Sequence, residues 1–405
     1  MKVLFLSPGY PPEMPYFVRG LASHGALVLG VGDSAGEALP PMARRHLSGY
    51  LRLPRLWDEE ATLAAVRSWP EARGLDRVEC LWEPGMILGA RLREGLGLPG
   101  MTVAETVPFR DKEDMKRALD PAGIRTPRHR RARTATECRE AAEAIGYPLI
   151  LKPIAGAGSV DTHRVEGPAD LERVLGLTRH VQEVSVEEFI EAEEYTFDTI
   201  CADGRILYWN VSLYRPRPLI ARQHEWVSSQ TIALREPEVP ALRSGVEMGR
   251  RVIDALRFRT GFTHMEWFLR PDGEAVFGEI AARAAGARST EIMNYSCDID
   301  VWDCWAEAVC AGRISADLSR KHNAAMIFKR ARGTGRIARI EGLERILSSF
   351  GEHVVSLELL PVGAPRRNWK QTLTSDGWVM LRHPSLAATL EMCDRVGTDL
   401  QMYAE

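Results

Sequence analysis

Two glutamates, Glu266 and Glu279, stand thirteen residues apart in "THMEWFLRPDGEAVFGEI". Strand-like residues flank Pro271-Asp272-Gly273, a tight-turn composition, so the stretch predicts a hairpin on which the two carboxylates converge. Paired carboxylates on a rigid sheet suit Mg2+, which takes one or two of them and leaves its other positions to water and phosphate oxygens. Period-two alternation puts His264, Glu266 and Phe268 on one face and Met265 and Trp267 on the other. Two solvent-facing strand glutamates would read the same way. An arginine, Arg283, follows Glu279 by four residues, with Ala281 between them at a position that would suit a third polar group.

Upstream, Lys152 closes the apolar strand "PLILKP" and leads into "IAGAGSVDT". Gly156, Gly158 and Ser159 are small enough to let backbone N–H groups approach phosphate oxygens, and a lysine adds a point charge. The pattern GxxxxGK[ST] is absent, so a phosphate site here is outside the P-loop class; a plain hairpin turn fits the same residues. The acidic run "VEEFIEAEEY" is either a solvated face or a connector whose backbone meets an adenine edge while a carboxylate accepts from ribose hydroxyls. "YRPRPLIARQHEWVSSQ" gathers Arg215, Arg217, Arg222, His224 and Trp226. Arginine suits a carboxylate substrate bidentately, and a basic surface loop is the plain alternative. "GVGDSAG" is GxGxxxG after the second strand and reads as a turn, not a dinucleotide site.

These residues need more than one core to hold them, since 405 residues imply two to four domains. The first hundred alternate strand and helix, which predicts a mainly parallel sheet. "RDKEDMKRALDPAG" reads as an amphipathic helix, and "TATECREAAEAIGYP" as a helix capped by Thr136. "VSVEEFIEAEEYTFDTICADGRILYW" reads as two strands with an Asp-Gly turn, and residues after 322 as a small α+β cap. A net charge of −3 gives no push towards nucleic acid, and no 18-residue apolar run marks a membrane span. "MKVLFLSPGY" is too short for a signal-peptide core, and seven scattered cysteines without CxxC pairs fit reduced thiols in a cytoplasmic protein.

Lysine and glycine loop, acidic connector and glutamate hairpin occur in an order that resembles the ATP-grasp superfamily over roughly residues 107 to 312. The resemblance implies an α/β chain, α+β in part. It would comprise an N-terminal parallel βαβ domain (1–106), a lid subdomain (107–185), a catalytic subdomain (186–321) and a C-terminal α+β module (322–405). It implies ATP held by Lys112, Lys152, the loop with Gly158 and Ser159, the connector Glu187, Glu188 and Ile190, and Glu194 at the ribose. Glu266 and Glu279 would hold one or two Mg2+ ions, with Mn2+ as substitute. Arg283 would be the catalytic cation, and Arg215, His224 and Arg283 would meet substrate. Many members read E-x-N-x-R after the hairpin; here Ala281 replaces the asparagine, which resembles the L-amino-acid ligase branch, as does "GRIARIEGLE". The implied activity joins a small carboxylate, activated as an acyl phosphate, to an amine. ADP and phosphate are released, and no nucleic acid or membrane partner is involved. The family commonly forms homodimers. Bicarbonate chemistry of the carboxylase or carbamoyl-phosphate type, and non-catalytic ATP binding, are the alternatives.

Overall fold

The computed structural model describes residues 1–405 apart from Ala157, Ser159 and Leu373, so the expected role of Ser159 lies outside the described residues. The apolar run at the N-terminus forms β1 (Lys2–Leu6), whose Val3 to Leu6 are fully buried. With β2 (Leu27–Gly32), β3 (Gly49–Arg52) and β4 (Arg77–Glu79) it makes a parallel sheet in the order β3-β2-β1-β4. Strand order reverses between β1 and β4, so the loops after those two strands border a topological switch point, a usual place for ligands.

The helix Lys112–Leu119 follows. Asp111 caps it by accepting from the Glu113 and Asp114 backbone N–H groups, each at 3.0 Å. Lys112, Met115, Lys116 and Leu119 are buried, the i, i+3, i+4, i+7 stripe of an amphipathic helix. Next come β5 (His129–Ala132), β6 (Leu149–Pro153), β7 (His163–Val165) and β8 (Val184–Glu188), an antiparallel sheet in the order β5-β8-β6-β7. Helices Ala135–Ile145 and Pro168–Leu177 cover one face. The first is capped by Thr134, not by Thr136 as expected. Thr134 accepts from the Glu137 N–H while the Glu137 carboxylate accepts from the Thr134 N–H, a reciprocal box that Thr136, already inside the helix, cannot form.

The stretch read as two strands holds three: β8, β9 (Glu193–Ala202) and β10 (Arg205–Asn210). Residues 189–192 interrupt the first pair, sending β8 into the small sheet and β9 into a nine-stranded one. The large sheet continues with β11 (Ser212–Arg215), β12 (Gln230–Ala233), β13 (Gly261–Leu269), β14 (Ala275–Ala281) and β15 (Asn323–Lys329). Beyond these lie β16 (Arg332–Gly333), β17 (Ile337–Glu341), β18 (Val354–Leu359), β19 (Gly377–His383) and β20 (Gln401–Ala404). The large sheet runs β14-β13-β9-β11-β12-β15-β19-β18, with β10 on β9. Thus β15, β18 and β19 join it through β12, while β16, β20 and β17 form a separate three-stranded sheet. The chain is α/β with α+β parts. No helix among the described residues is long and apolar enough to cross a membrane.

The helix Arg243–Ala255 lies so close to the large sheet that a Cβ on Gly245 would stand 2.0 Å from the Trp267 ring. Trp267 is fully buried there, which fixes the inward face of β13 and turns Glu266, its neighbour, to the opposite face. Gly245→Ala is therefore expected to cost at least about 1–3 kcal/mol of unfolding free energy. Gly176→Ala, in an exposed helix with nothing within 4 Å of the added methyl, is expected to be neutral or stabilising by about 0.5–1 kcal/mol. Denaturant titration of both variants checks this; equal effects at the two positions would contradict the packing account.

Candidate active site

Glu266 and Glu279 are direct partners in the β13–β14 ladder, and the register shifts between Glu266 and Trp267. Gly278 permits this approach, because a Cβ there would lie 2.7 Å from the Glu266 carbonyl oxygen. Both carboxylates reach a cleft whose lining comes from both antiparallel sheets. Lys112 Nζ and Lys152 Nζ stand 3.4 and 3.8 Å from the Glu279 carboxylate. Burial alone would raise the Glu279 pKa; Lys112 and Lys152 outweigh it and hold the group at about 2. Glu266 faces the Tyr214 hydroxyl at 3.5 Å and His264 Nε2 at 3.6 Å. His264 Nδ1 meets Asp198 Oδ1 at 2.6 Å, and although burial opposes the charged ring, Asp198 lifts it to about 9.

Glu187 forms the back of the cleft. Its oxygens are divided between Lys116 Nζ at 2.7 Å and Lys152 Nζ at 2.9 Å. Burial would raise this carboxyl, but the two ammoniums pull it well below the usual carboxylate range. Glu187 and Glu279 likewise hold Lys152 above the usual lysine range despite burial. For Lys116, burial outweighs Glu187 and draws the ammonium down.

The other end of the cleft is an apolar slot with Ile150, Ile190 and Phe268 in its walls. The Glu188 carboxylate turns away to Arg125 at 2.9 Å, and its N–H donates to the Arg128 carbonyl at 2.8 Å, while the residue still lines the cleft. Arg217 donates to the Ile190 carbonyl at 2.8 Å, lies 3.3 Å from Glu194 and stacks over Phe189 and Phe268, each 5.0 Å away. Burial, with Glu266 nearby, raises Glu194 to about 8, because the single Arg217 does not offset them.

A second, narrow cavity meets the cleft at Lys112 and Glu279. Ala281, His264 and Arg283 line it. Arg283 Nε and Nη2 donate to Glu83 Oε2 at 2.9 and 2.5 Å, and Arg110 pairs with the other Glu83 oxygen. Burial disfavours the Arg283 charge, but Glu83 reverses that and raises its pKa. Glu83 follows β4, at the switch point of the parallel sheet.

The structure thus gathers Lys112, Lys152, Glu187, Glu188, Ile190, Glu194, Glu266 and Glu279 around one cleft, with Arg283 in the adjoining cavity. Gly156 lines the cleft but Gly158 does not; the Gly158 carbonyl accepts from Arg222 Nε at 2.8 Å. Arg215 and His224 line neither cavity. On β11 Tyr214 faces Glu266, so alternation sends Arg215 the other way, to Gln230 and Asp394. His224 packs on Trp226. Arg217, two residues past Arg215, occupies the cleft instead. Lys116, Glu83, Arg110 and Asp198 went unread in the sequence. The Lys112–Lys116 spacing of one helical turn was an available sign of Lys116, whereas Glu83 is 200 residues from Arg283 and carries no local signal. The donor set fits Mg2+: two carboxylates face each other on rigid strands, and the remaining positions are open to water and phosphate oxygens.

The fold favours protonated Glu194, so between its unfolded value of 4.5 and about 8 the folded state binds the extra proton and stability falls as pH rises. Glu194→Gln should melt with the parent near the lower limit and above it near the upper one, in chelator without nucleotide. A melting difference that does not vary with pH would show Glu194 ionised throughout.

Residues 109–216 match the ATP-grasp domain family. The L-arginine-specific L-amino acid ligase of Bacillus subtilis is 27% identical over 235 residues, 56% of this chain and 56% of that protein. The alanine–anticapsin ligase of Bacillus subtilis is 27% identical over 259 residues, 57% of this chain and 53% of that protein. The chain therefore spans just over half the length of these curated relatives. The crystal structure of an L-amino acid ligase from Bacillus licheniformis superposes with a TM-score of 0.80 at 20% identity, covering 100% of this chain and 98% of that one. The chain carries an ATP-grasp domain match over residues 109–216 and has the ATP-grasp fold.

Proposed function

We propose that the chain is an ADP-forming ligase that activates a small carboxylate, an amino acid, as an acyl phosphate and joins it to an amine. The observation that carries this reading is the junction of two cavities at Lys112 and Glu279. The larger one has an apolar slot at one end and lysines with paired carboxylates at the other, as a nucleoside triphosphate needs. The smaller one, narrow in this state, places a buried arginine next to that charged end, on the side from which a small carboxylate would approach. The two relatives named as ligases of amino acids support an amino acid as substrate.

In this reading the base lies against Ile190 and Phe268, Glu194 takes the ribose, and the triphosphate runs to Lys112 and Lys152. Residues 1–106 supply Glu83, 107–185 the two lysines, 186–321 the carboxylates and Arg283, and 322–405 the strands that extend the sheet. A substrate carboxylate oxygen attacks the γ-phosphorus and ADP leaves. The amine nitrogen then attacks the acyl carbon, phosphate departs with the C–O bonding pair, and the nitrogen loses a proton. Arg283 lies where negative charge develops at the tetrahedral carbon. Mg2+ at Glu266 and Glu279, with Mn2+ able to replace it, would offset phosphate charge and polarise the γ-phosphoryl group. The lysines and arginine act mainly by position and fixed charge.

A phosphate-release screen over paired carboxylates and amines, with mass spectrometry of the product, tests the proposal. ADP should form only when both partners are present. AMP and pyrophosphate would sink it, and turnover that needs bicarbonate would replace it with the carboxylase reading. Arg283→Ala and Glu279→Ala should each lower kcat by at least about 10²-fold. Unchanged ADP formation in Glu279→Ala would show that the site is assigned wrongly.

A further inference from the structure

Lys116 has no part in the reaction just described. It is fully buried and lines neither cavity. A lysine is rarely placed so unless a specific partner requires it. Its partner is Glu187: the Lys116 ammonium donates to Glu187 Oε1 at 2.7 Å and to the Lys112 carbonyl at 3.2 Å. Glu187 Oε2 is taken by Lys152 at 2.9 Å. The Ser185 hydroxyl packs between Glu187 at 2.8 Å and Glu113 at 2.5 Å, and Glu113 meets His129 at 2.7 Å, so the helix bearing Lys116 is tied to β5 and β8.

Charge counting gives this arrangement a purpose. Two ammoniums and one carboxylate leave one positive charge, and of the two ammoniums only Lys152 faces the cleft. Without Lys116, the full charge of Glu187 would fall on Lys152, which would offer the cleft no net charge. Glu279, 3.8 Å from Lys152, would draw on it further. We infer that Lys116 is a positioning residue for nucleotide binding: it neutralises Glu187 so that Lys152 keeps its charge for the nucleotide's phosphates. This rests on the nucleotide reading of the cleft.

Calorimetric titration of the full chain with MgADP tests it without requiring turnover. Lys116→Met should weaken binding by at least about tenfold, and Lys116→Arg by no more than about threefold. The double variant K116M/E187Q removes one cation and one anion together and should bind within about threefold of the single variant E187Q, which isolates the Lys116 effect from Glu187's own place in the cleft. Loss of a purely structural lysine would still weaken binding in the E187Q background. K116M binding within about twofold of the parent, or a double variant more than about threefold weaker than E187Q, overturns the inference. Should K116M fail to fold, the double variant decides by the same limits. A parent chain that binds no MgADP overturns the nucleotide reading, and this inference with it.

Discussion

Like charges held opposite each other on one hairpin repel, and the surroundings of Glu266 and Glu279 are arranged about that repulsion. The ladder fixes them as partners, and Gly278 removes the side chain that would have forced them apart. Cations are not shared evenly. Glu279 has Lys112 and Lys152 and is held near 2; Glu194, at the other end of the cleft, has only Arg217 and rises to about 8. The cleft therefore has an end crowded with ionised groups, suited to phosphates, and an end beside the apolar slot where the carboxyl is held protonated. This polarity follows from where Lys112 on its helix and Lys152 on β6 stand, and it sets the direction in which a nucleotide would lie.

That polarity depends on two sheets staying in register with each other. Lys152 belongs to the sheet of β5 to β8, Glu266 and Glu279 to the large one, and residues 189–192 join them. Arg217 spans the joint. It holds the Ile190 carbonyl on one side and Glu194 on the other, with its guanidinium over both Phe189 and Phe268. One side chain from a loop thus sets the distance between the connector and the hairpin. Its planar, permanently charged fork can make these contacts at once, which a lysine cannot.

Much of this was legible in the sequence where signals are local. Period-two alternation placed Glu266 on the correct face, the Pro-Asp-Gly turn gave the hairpin, and a lysine ending an apolar strand marked Lys152. What failed was also local in origin. Arg215 was chosen as a substrate contact by residue type, but on a strand parity decides the face, and the site belongs to Tyr214 and Arg217. The acidic run hid a change of sheet, because four residues of connector look like part of a strand. Lys116 and Glu83 were missed for different reasons. Lys116 has the spacing of an ordinary helix face, and only the tertiary fold turns that face inward. Glu83 acts across 200 residues, a separation that no local pattern records.

Glu83 and Glu187 nonetheless obey one rule. Each is a buried carboxylate that divides its two oxygens between two cations: Arg110 and Arg283 in one case, Lys116 and Lys152 in the other. Each group therefore keeps one positive charge in excess, with Lys152 lining the larger cavity and Arg283 the smaller one. A lone buried cation would lose its proton or draw in water; a simple ion pair would be neutral and inert towards an anion. Two cations on one carboxylate avoid both outcomes. The carboxylate fixes the direction and burial of the groups, and the surplus charge remains for an anion that arrives later. The same device, built once from lysines and once from arginines, would serve the phosphates on one side of the junction and the developing tetrahedral oxyanion on the other.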